Sequence, residues 1–188
     1  MSLPVTSVPF TKIGNKKMNL PIIMDKIGNE YGIMVDNQFV GVRYYDVEES
    51  IEKKLLKTFI HPQSRKHFHL SLMIINHHDI PPHIDNDLNV VINYYLQTAN
   101  ATTKFWNPKN TQLNAVKIKN QVDGRLFIKE DLECMGNFKA ETNDLWMLDV
   151  SKIHSVESTC NDLRIAYCFQ SNKVTYSDII NNLDKFIL

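Results

Sequence analysis

The chain has 188 residues, of which 43% are hydrophobic and 22% are charged. These values are ordinary for a globular protein of this length, and they predict one domain over residues 1–188 with a core of its own. Lysine plus arginine and aspartate plus glutamate each number 21, so the formal net charge is zero. A neutral chain has no global field that attracts nucleic acid or anionic membranes, although a local patch can still do so.

Cysteine usage and apolar patterning indicate the compartment. Cys134, Cys160 and Cys168 are odd in number and lack metal-ligand spacing, which predicts free thiols in a reducing environment. The N-terminus lacks both the basic and the apolar segment of a signal peptide, and no apolar run reaches membrane-spanning length. We therefore expect a cytoplasmic protein without a membrane partner.

The predicted elements, taken in chain order, are mainly short strands. Residues 1–20 contain proline and lysine without periodicity, so no regular structure is expected there. Short runs bounded by Gly, Asn and Asp predict strands at 21–24, 31–35 and 39–45. Apolar residues at helical spacing predict a helix over 47–60. Further strands are predicted at 68–76, 88–97, 125–130, 145–150 and 162–170, before a closing helix from residue 177 onward.

Many short strands, with helices mainly near the ends, predict a mainly β fold. The expected architecture is a β-sandwich or jelly roll with supporting α-helices. A doubly wound nucleotide-binding fold is not expected, because strands and helices do not alternate and no Gly-rich phosphate loop is present.

A histidine and an aspartate two residues apart, His83 and Asp85, form the first candidate site. Side chains at i and i+2 of an extended chain project from the same face, so one strand can offer both groups to one metal ion. Two histidines and one carboxylate form the facial triad typical of non-haem Fe(II). His154, the sole histidine of the C-terminal half, is the candidate third ligand. A second His-x-Asp pattern, His77 and Asp79, competes with the first.

Arg164 lies inside the apolar run 163–169, which reads as a buried strand. A buried guanidinium is costly unless it pairs with an anion. Because its planar fork binds carboxylates bidentately, a bound dicarboxylate is a suitable partner. The alternative is an arginine at a strand end that pairs with Asp162 or with solvent.

These residues occur in an order that resembles a known family. A His-x-Asp pattern, a Tyr-Tyr-Leu strand (residues 94–96), a distal histidine and an arginine ten positions later resemble the Fe(II)/2-oxoglutarate-dependent dioxygenase superfamily, and most closely its prolyl-hydroxylase-like branch. The resemblance covers about residues 68–170. It implies a double-stranded β-helix, a jelly roll whose open end holds the iron.

The resemblance also implies roles for individual residues. His83, Asp85 and His154 would bind Fe(II), Arg164 would bind the distal carboxylate of 2-oxoglutarate, and Tyr95 would form a hydrogen bond with this cosubstrate. His83 is preferred to His77 because Pro82 favours an extended chain before it, and because it lies nearer the Tyr-Tyr-Leu strand.

The chain departs from the family pattern at two positions. Asn76 stands where relatives often carry a second cosubstrate tyrosine, and we expect its amide to contact the cosubstrate instead. Asn143 replaces a glycine that commonly precedes the aspartate at position 144, a mild change because asparagine tolerates a left-handed backbone.

The activity implied is hydroxylation of an amino-acid, peptidyl (including prolyl) or other small-molecule substrate, using O2 and releasing succinate and CO2. A nucleic-acid demethylase of the same superfamily is an alternative, and the zero net charge counts against it. A non-catalytic jelly-roll binding protein is another. The segment 98–121 combines lysines with aromatic residues, so it would bind an acidic or peptide-like substrate or form a solvated hairpin.

Overall fold

The computed structural model describes residues 8–35, 38–76, 79–85, 87–110, 115–116, 125–158, 160 and 162–188. Most of the regular structure is β. Three helices accompany the strands: α1 (Glu49–Phe59), α2 (Tyr176–Ile180) and α3 (Leu183–Phe186). The strands are β1 (Phe10–Asn15), β2 (Ile27–Val35), β3 (Gln38–Asp46), β4 (His69–Asn76), β5 (Ile80–Ile84), β6 (Val90–Gln97), β7 (Thr102–Pro108), β8 (Ala115–Val116), β9 (Arg125–Phe127), β10 (Leu132–Lys139), β11 (Asp144–Leu148), β12 (His154–Glu157) and β13 (Arg164–Ser171).

The strands form two antiparallel sheets. The large sheet has the order β1-β11-β6-β13-β4-β3-β2, and the small sheet has the order β10-β7-β12-β5-β9-β8. Along the chain β4, β5, β6 and β7 alternate between the two sheets, and so do β10, β11, β12 and β13. This alternation winds the chain as a double-stranded β-helix, and the predicted jelly roll is confirmed.

The central strands of the large sheet, β4, β6 and β13, are buried on both faces. On β6, Tyr95 and Val91 point into the apolar cluster between the sheets, which Phe105 of β7 completes. The neighbours Tyr94 and Ile92 point the other way, into a second cluster that includes side chains of α1 and α2. Since successive side chains alternate across a strand, a strand covered on both faces is apolar at nearly every position. The candidate site lies between the sheets.

Most of the predicted elements are confirmed, with differences near the N-terminus. The strands predicted at 31–35, 39–45, 68–76, 88–97, 125–130, 145–150 and 162–170 correspond to β2, β3, β4, β6, β9, β11 and β13, and the helix predicted over 47–60 is α1. The strand predicted at 21–24 is wrong, because those residues form no regular element. The closing helix is two short helices, α2 and α3.

The expectation of no regular structure before residue 20 is also wrong, because β1 pairs with β11. The reason is tertiary. The ring of Phe10 lies 5.3 Å from that of Phe105 and 5.2 Å from that of Phe138, between centroids. These contacts, rather than a local pattern, hold the strand. Residues 1–7 lie outside the described part of the chain.

Among the described residues, no helix has the length and apolarity needed to cross a bilayer.

Asp144 connects β1 to the start of β11, and its side chain is only 1% exposed. The carboxylate accepts hydrogen bonds from Asn15 Nδ2 at 2.7 Å, the backbone N–H of Glu141 at 3.0 Å and Trp146 Nε1 at 3.2 Å. Lys12 Nζ lies 2.7 Å from it. Burial raises the pKa of Asp144, but the bonds from Lys12 and the other donors outweigh burial and lower it below its usual range. Asp144 is therefore held ionised.

We predict that Asp144→Asn destabilises the protein by about 1–3 kcal/mol near neutral pH, because buried donors lose a charged acceptor. A carboxyl whose pKa is lowered by folding stabilises above its unfolded pKa of about 3.9, and this contribution is lost as the pH falls through the folded value. Urea unfolding at a series of pH values measures this. The difference in free energy of unfolding between wild type and Asp144→Asn should become smaller below about pH 4.

Asp184→Asn, at an exposed position, is the matched control and should leave the free energy of unfolding unchanged. If the difference in free energy of unfolding between wild type and Asp144→Asn stays constant down to pH 3, Asp144 is not the ionised carboxylate described here.

Candidate metal centre and anion pocket

Two neighbouring strands of the small sheet bring the predicted metal ligands together. His83 on β5 and His154 on β12 are direct cross-strand partners, and their ring centroids lie 4.2 Å apart. Asp85 follows β5, where its backbone N–H donates to the carbonyl of Val150 at 3.2 Å. One ligand atom from each of the three residues lies within 4.8 Å of the other two. The cluster is thus compact enough for the three side chains to share one metal ion.

Both histidine rings are oriented by their own backbones. His83 Nδ1 lies 2.8 Å from the carbonyl oxygen of Pro81, and His154 Nδ1 lies 2.9 Å from that of Lys152. A carbonyl only accepts, so each Nδ1 carries the proton and donates it. Nε2 is therefore the ring nitrogen through which each histidine can bind a metal, once it carries no proton.

The charges at the site also favour a metal. Burial, aided by the neighbouring charge of His83, lowers the pKa of His154 to about 4, so its imidazole is neutral near pH 7. Burial lowers the pKa of His83 as well, but its interaction with Asp85, 3.5 Å away, reverses this and raises it overall. Burial raises the pKa of Asp85, but the hydrogen bond from His83 and the charges of His154 and His83 together outweigh burial and lower it. The site therefore presents an ionised carboxylate to a cation.

This donor set fits a divalent metal. Two imidazoles that bind through Nε2 and one carboxylate on one side of an ion leave the opposite positions open, as in non-haem Fe(II) sites.

Arg164 is the buried cation of the same region, at 3% exposure. Its Nη2 donates to the hydroxyl oxygen of Tyr95 and to Oγ1 of Thr103, both at 2.8 Å. Its Nε and Nη1 atoms are buried without a hydrogen-bond partner among the described residues. Within that part of the chain no carboxylate forms an ion pair with it, so the alternative pairing with Asp162 is not observed.

The unpaired donors of Arg164 indicate an anion site. Leaving a charged group buried without a counter-ion costs several kcal/mol, roughly, so such a group is expected to have an anionic partner when the site is filled. Tyr95 and Thr103 are neutral and cannot supply the charge.

One cavity connects the metal ligands to the arginine. The cavity has a volume of about 70 Å³. One water molecule requires roughly 10–15 Å³ of such space, so the cavity has room for several. Its polar lining is His83, Asp85, His154, Arg164, Tyr95, Thr103 and Asn93, and the remainder is largely aliphatic. A small molecule in this cavity would face the metal ligands at one part of its surface and Arg164 at another.

Asn76 does not line this cavity. On β4 it is Met73 and Ile75 that contribute to the lining. Because side chains alternate along a strand, Asn76 falls on the opposite face of the sheet, one residue out of phase with the site. The cosubstrate contact expected of Asn76 is therefore not supported by its position.

The rival His-x-Asp pattern falls partly outside the described residues, which exclude His77 and His78. Asp79 is described, and its carboxylate accepts the backbone N–H of Ser158 at 2.7 Å.

Thr103 and Asn93 are site residues that the sequence reasoning missed. Both are buried polar side chains on strands, at 2% and 6% exposure. In the sequence each reads as an ordinary strand residue, and only the pairing of strands brings them to Arg164 and Tyr95. The one available signal was a polar side chain in an otherwise apolar run at Asn93.

The basic and aromatic segment 98–121 is partly an internal strand. Phe105 of β7 stacks near His154, with ring centroids 5.7 Å apart, while Trp106 lies on the other face of β7. Lys104 and Lys129 both lie within 6 Å of the Trp106 ring centre and both pair with Glu157. Lys104 is thus neutralised within the protein. Lys117 and Lys119 lie outside the described residues.

Comparison with models of protein families and with curated proteins gives no match. Among solved structures, the chain is similar to E. coli ycfD (TM-score 0.42, 12% identity, over 76% of this chain and 36% of that one). It is also similar to vicilin from Corylus avellana, hazelnut, with a TM-score of 0.41 and 11% identity over 84% of this chain and 37% of that one. A third similar structure is the non-heme alpha ketoglutarate dependent epimerase SnoN from nogalamycin biosynthesis. Its TM-score is 0.33, with 7% identity over 64% of this chain and 52% of that one. The chain thus spans about a third to a half of these structures, and likenesses this distant assign no activity.

We predict that His83→Ala or Asp85→Ala weakens Fe(II) binding by roughly 100-fold or more, because loss of a supporting partner alone costs 10- to 100-fold. Anaerobic titration of the metal-free protein with Fe(II) measures this. His69→Ala, at an exposed position outside the cluster, is the matched control and should bind as wild type does. Wild-type affinity in His83→Ala would instead favour a jelly-roll binding protein without this metal centre.

Proposed function

We propose that the protein is an Fe(II)- and 2-oxoglutarate-dependent dioxygenase that hydroxylates an amino-acid, peptidyl or other small-molecule substrate, with release of succinate and CO2. One observation carries the proposal. A buried arginine with unpaired donors lines the same cavity as two histidines and a carboxylate that can share a metal ion. A metal ligand set and a carboxylate anchor in one small cavity are the two features that a keto-dicarboxylate cosubstrate requires.

The protein's own residues would then bind and orient. His83 and His154 would offer Nε2 lone pairs to the iron, and Asp85 would offer its carboxylate. Arg164 would take the distal carboxylate of 2-oxoglutarate through its free Nε and Nη1 donors, while Tyr95 and Thr103 hold the guanidinium by its Nη2 atom. When bound, iron and cosubstrate supply the oxidising chemistry.

The apolar part of the lining would keep water from the reacting atoms. Ile75, Leu148 and Val156 are buried residues of this lining. A water-poor cavity strengthens the attraction between the guanidinium and a carboxylate, because the local dielectric is low. Recognition of the hydroxylated substrate belongs to residues around the mouth of the cavity.

The decisive experiment is anaerobic addition of Fe(II) and 2-oxoglutarate, followed by the visible charge-transfer absorption of the iron–keto-acid chelate. We predict that the band forms with wild type. Arg164→Met should raise the Kd of 2-oxoglutarate about 100-fold or more, because bidentate charge-assisted bonds are lost. Fe(II) affinity without cosubstrate should change little.

Lys104→Met removes a cation from the outer face of β7 and is the matched control, with wild-type 2-oxoglutarate affinity expected. If no band forms, or if Arg164→Met binds 2-oxoglutarate as wild type does, the proposal is wrong. Oxygen-dependent succinate release then separates an active oxygenase from a protein that only binds metal and dicarboxylate.

A further inference from the structure

Asn93 occupies a buried polar position beside the proposed cosubstrate anchor. It lies two residues before Tyr95 on β6, on the same face, and it lines the cavity. Its Nδ2 donates to the Tyr95 hydroxyl oxygen at 3.2 Å. Its Oδ1 is buried without a hydrogen-bond partner among the described residues. An amide with an unmet acceptor lowers stability relative to an apolar side chain of similar size. Fold stability alone therefore does not account for an asparagine here.

The Tyr95 hydroxyl receives two donors at once. Arg164 Nη2 donates to it at 2.8 Å, and Asn93 Nδ2 donates to it at 3.2 Å. A phenolic oxygen has two lone pairs and one proton. With both lone pairs occupied, the hydroxyl can only donate to its next neighbour. Within the described part of the chain, no hydrogen bond from Tyr95 to an acceptor is formed.

We propose that Asn93 is a positioning residue that keeps Tyr95 in the donor state, with its proton directed to the distal carboxylate of the bound 2-oxoglutarate. This inference rests on the proposed function. Without Asn93, a lone pair of Tyr95 is free and the hydroxyl can turn its proton elsewhere. With Asn93 in place, Tyr95 and the free N–H groups of Arg164 present only hydrogen-bond donors, so the site binds ligand groups that are acceptors.

The pocket should therefore distinguish a carboxylate from a carboxamide. A carboxylate only accepts hydrogen bonds, whereas a carboxamide presents two N–H donors on one side. With its lone pairs occupied, Tyr95 cannot accept from those donors. The mono-amide of 2-oxoglutarate at the distal end should bind poorly for this reason in addition to its lack of charge.

The test measures the Kd of 2-oxoglutarate for the anaerobic Fe(II) protein, by titration of the chelate absorption. Asn93→Leu should raise Kd about 10-fold, the effect of one hydrogen bond, while the melting temperature stays equal or rises. The nearly isosteric Asn93→Asp should raise Kd further, since its carboxylate would accept the Tyr95 proton and repel the ligand.

The mechanism through Tyr95 is tested by a double-mutant cycle. In a Tyr95→Phe background, Asn93→Leu should change Kd by less than about 2-fold, because the group it acts through is gone. Ser71→Ala is the matched control. Ser71 is also buried with an unpartnered hydroxyl, it lies in the same row of the large sheet beyond Cys168, and it does not line the cavity. Its Kd should equal that of wild type.

Three results would overturn the inference while leaving the proposed function intact. The first is wild-type affinity in both Asn93 variants. The second is a full effect of Asn93→Leu in the Tyr95→Phe background. The third is wild-type affinity in Asn93→Asp alone, which would show that Asn93 acts by shape. If wild type itself does not bind 2-oxoglutarate, the proposed function and this inference both fail. Asn93→Asp keeps the side-chain volume and so remains informative if Asn93→Leu does not fold.

Discussion

The unmet hydrogen bonding of Arg164 is the constraint around which the interior of the jelly roll is organised. Its guanidinium is buried, and among the described residues only its Nη2 atom has hydrogen-bond partners. Tyr95 and Thr103 accept hydrogen bonds from Nη2 and so orient the guanidinium, but they are neutral and leave its charge unpaired. A buried charge is tolerated only with a counter-charge, and the described residues leave this one without an ion pair, which is the basis of the proposed carboxylate site. The aliphatic lining of the cavity lowers the local dielectric, and this raises the free-energy cost of leaving the charge of Arg164 unpaired.

The winding of the chain explains how distant residues meet in one cavity. His83 and His154 are more than a third of the chain apart in sequence, yet β5 and β12 are neighbours in the small sheet. Tyr95 and Arg164 meet in the same way through β6 and β13 of the large sheet. Each sheet contributes one half of the site: the small sheet supplies the histidines, and the large sheet supplies the arginine and its tyrosine. The cavity is the space between these halves.

The sequence predicts much of this arrangement, and its failures have physical causes. The identity of the clustered ligands and the burial of Arg164 follow from residue type and order. The cosubstrate contact predicted for Asn76 stays a prediction, and the position of Asn76 on the other face of β4 does not support it, because a shift of one residue along a strand reverses the face. Thr103 and Asn93 were missed because their roles depend on partners on other strands. The strand at 10–15 was missed because the packing of Phe10 stabilises it, and that contact is invisible to local periodicity.

The orientation of the two histidine rings has a consequence for how the protein matures. Each ring is oriented by the backbone carbonyl two residues earlier, that of Pro81 within β5 and that of Lys152 in the turn before β12, so the alignment of the donor atoms comes from the local backbone. Proteins whose metal organises the ligands are unfolded without it, whereas these two rings are already oriented by backbone carbonyls. Under the proposed function, iron would therefore enter a site whose histidines are already aligned, and the supply of metal would set how much of the protein is loaded.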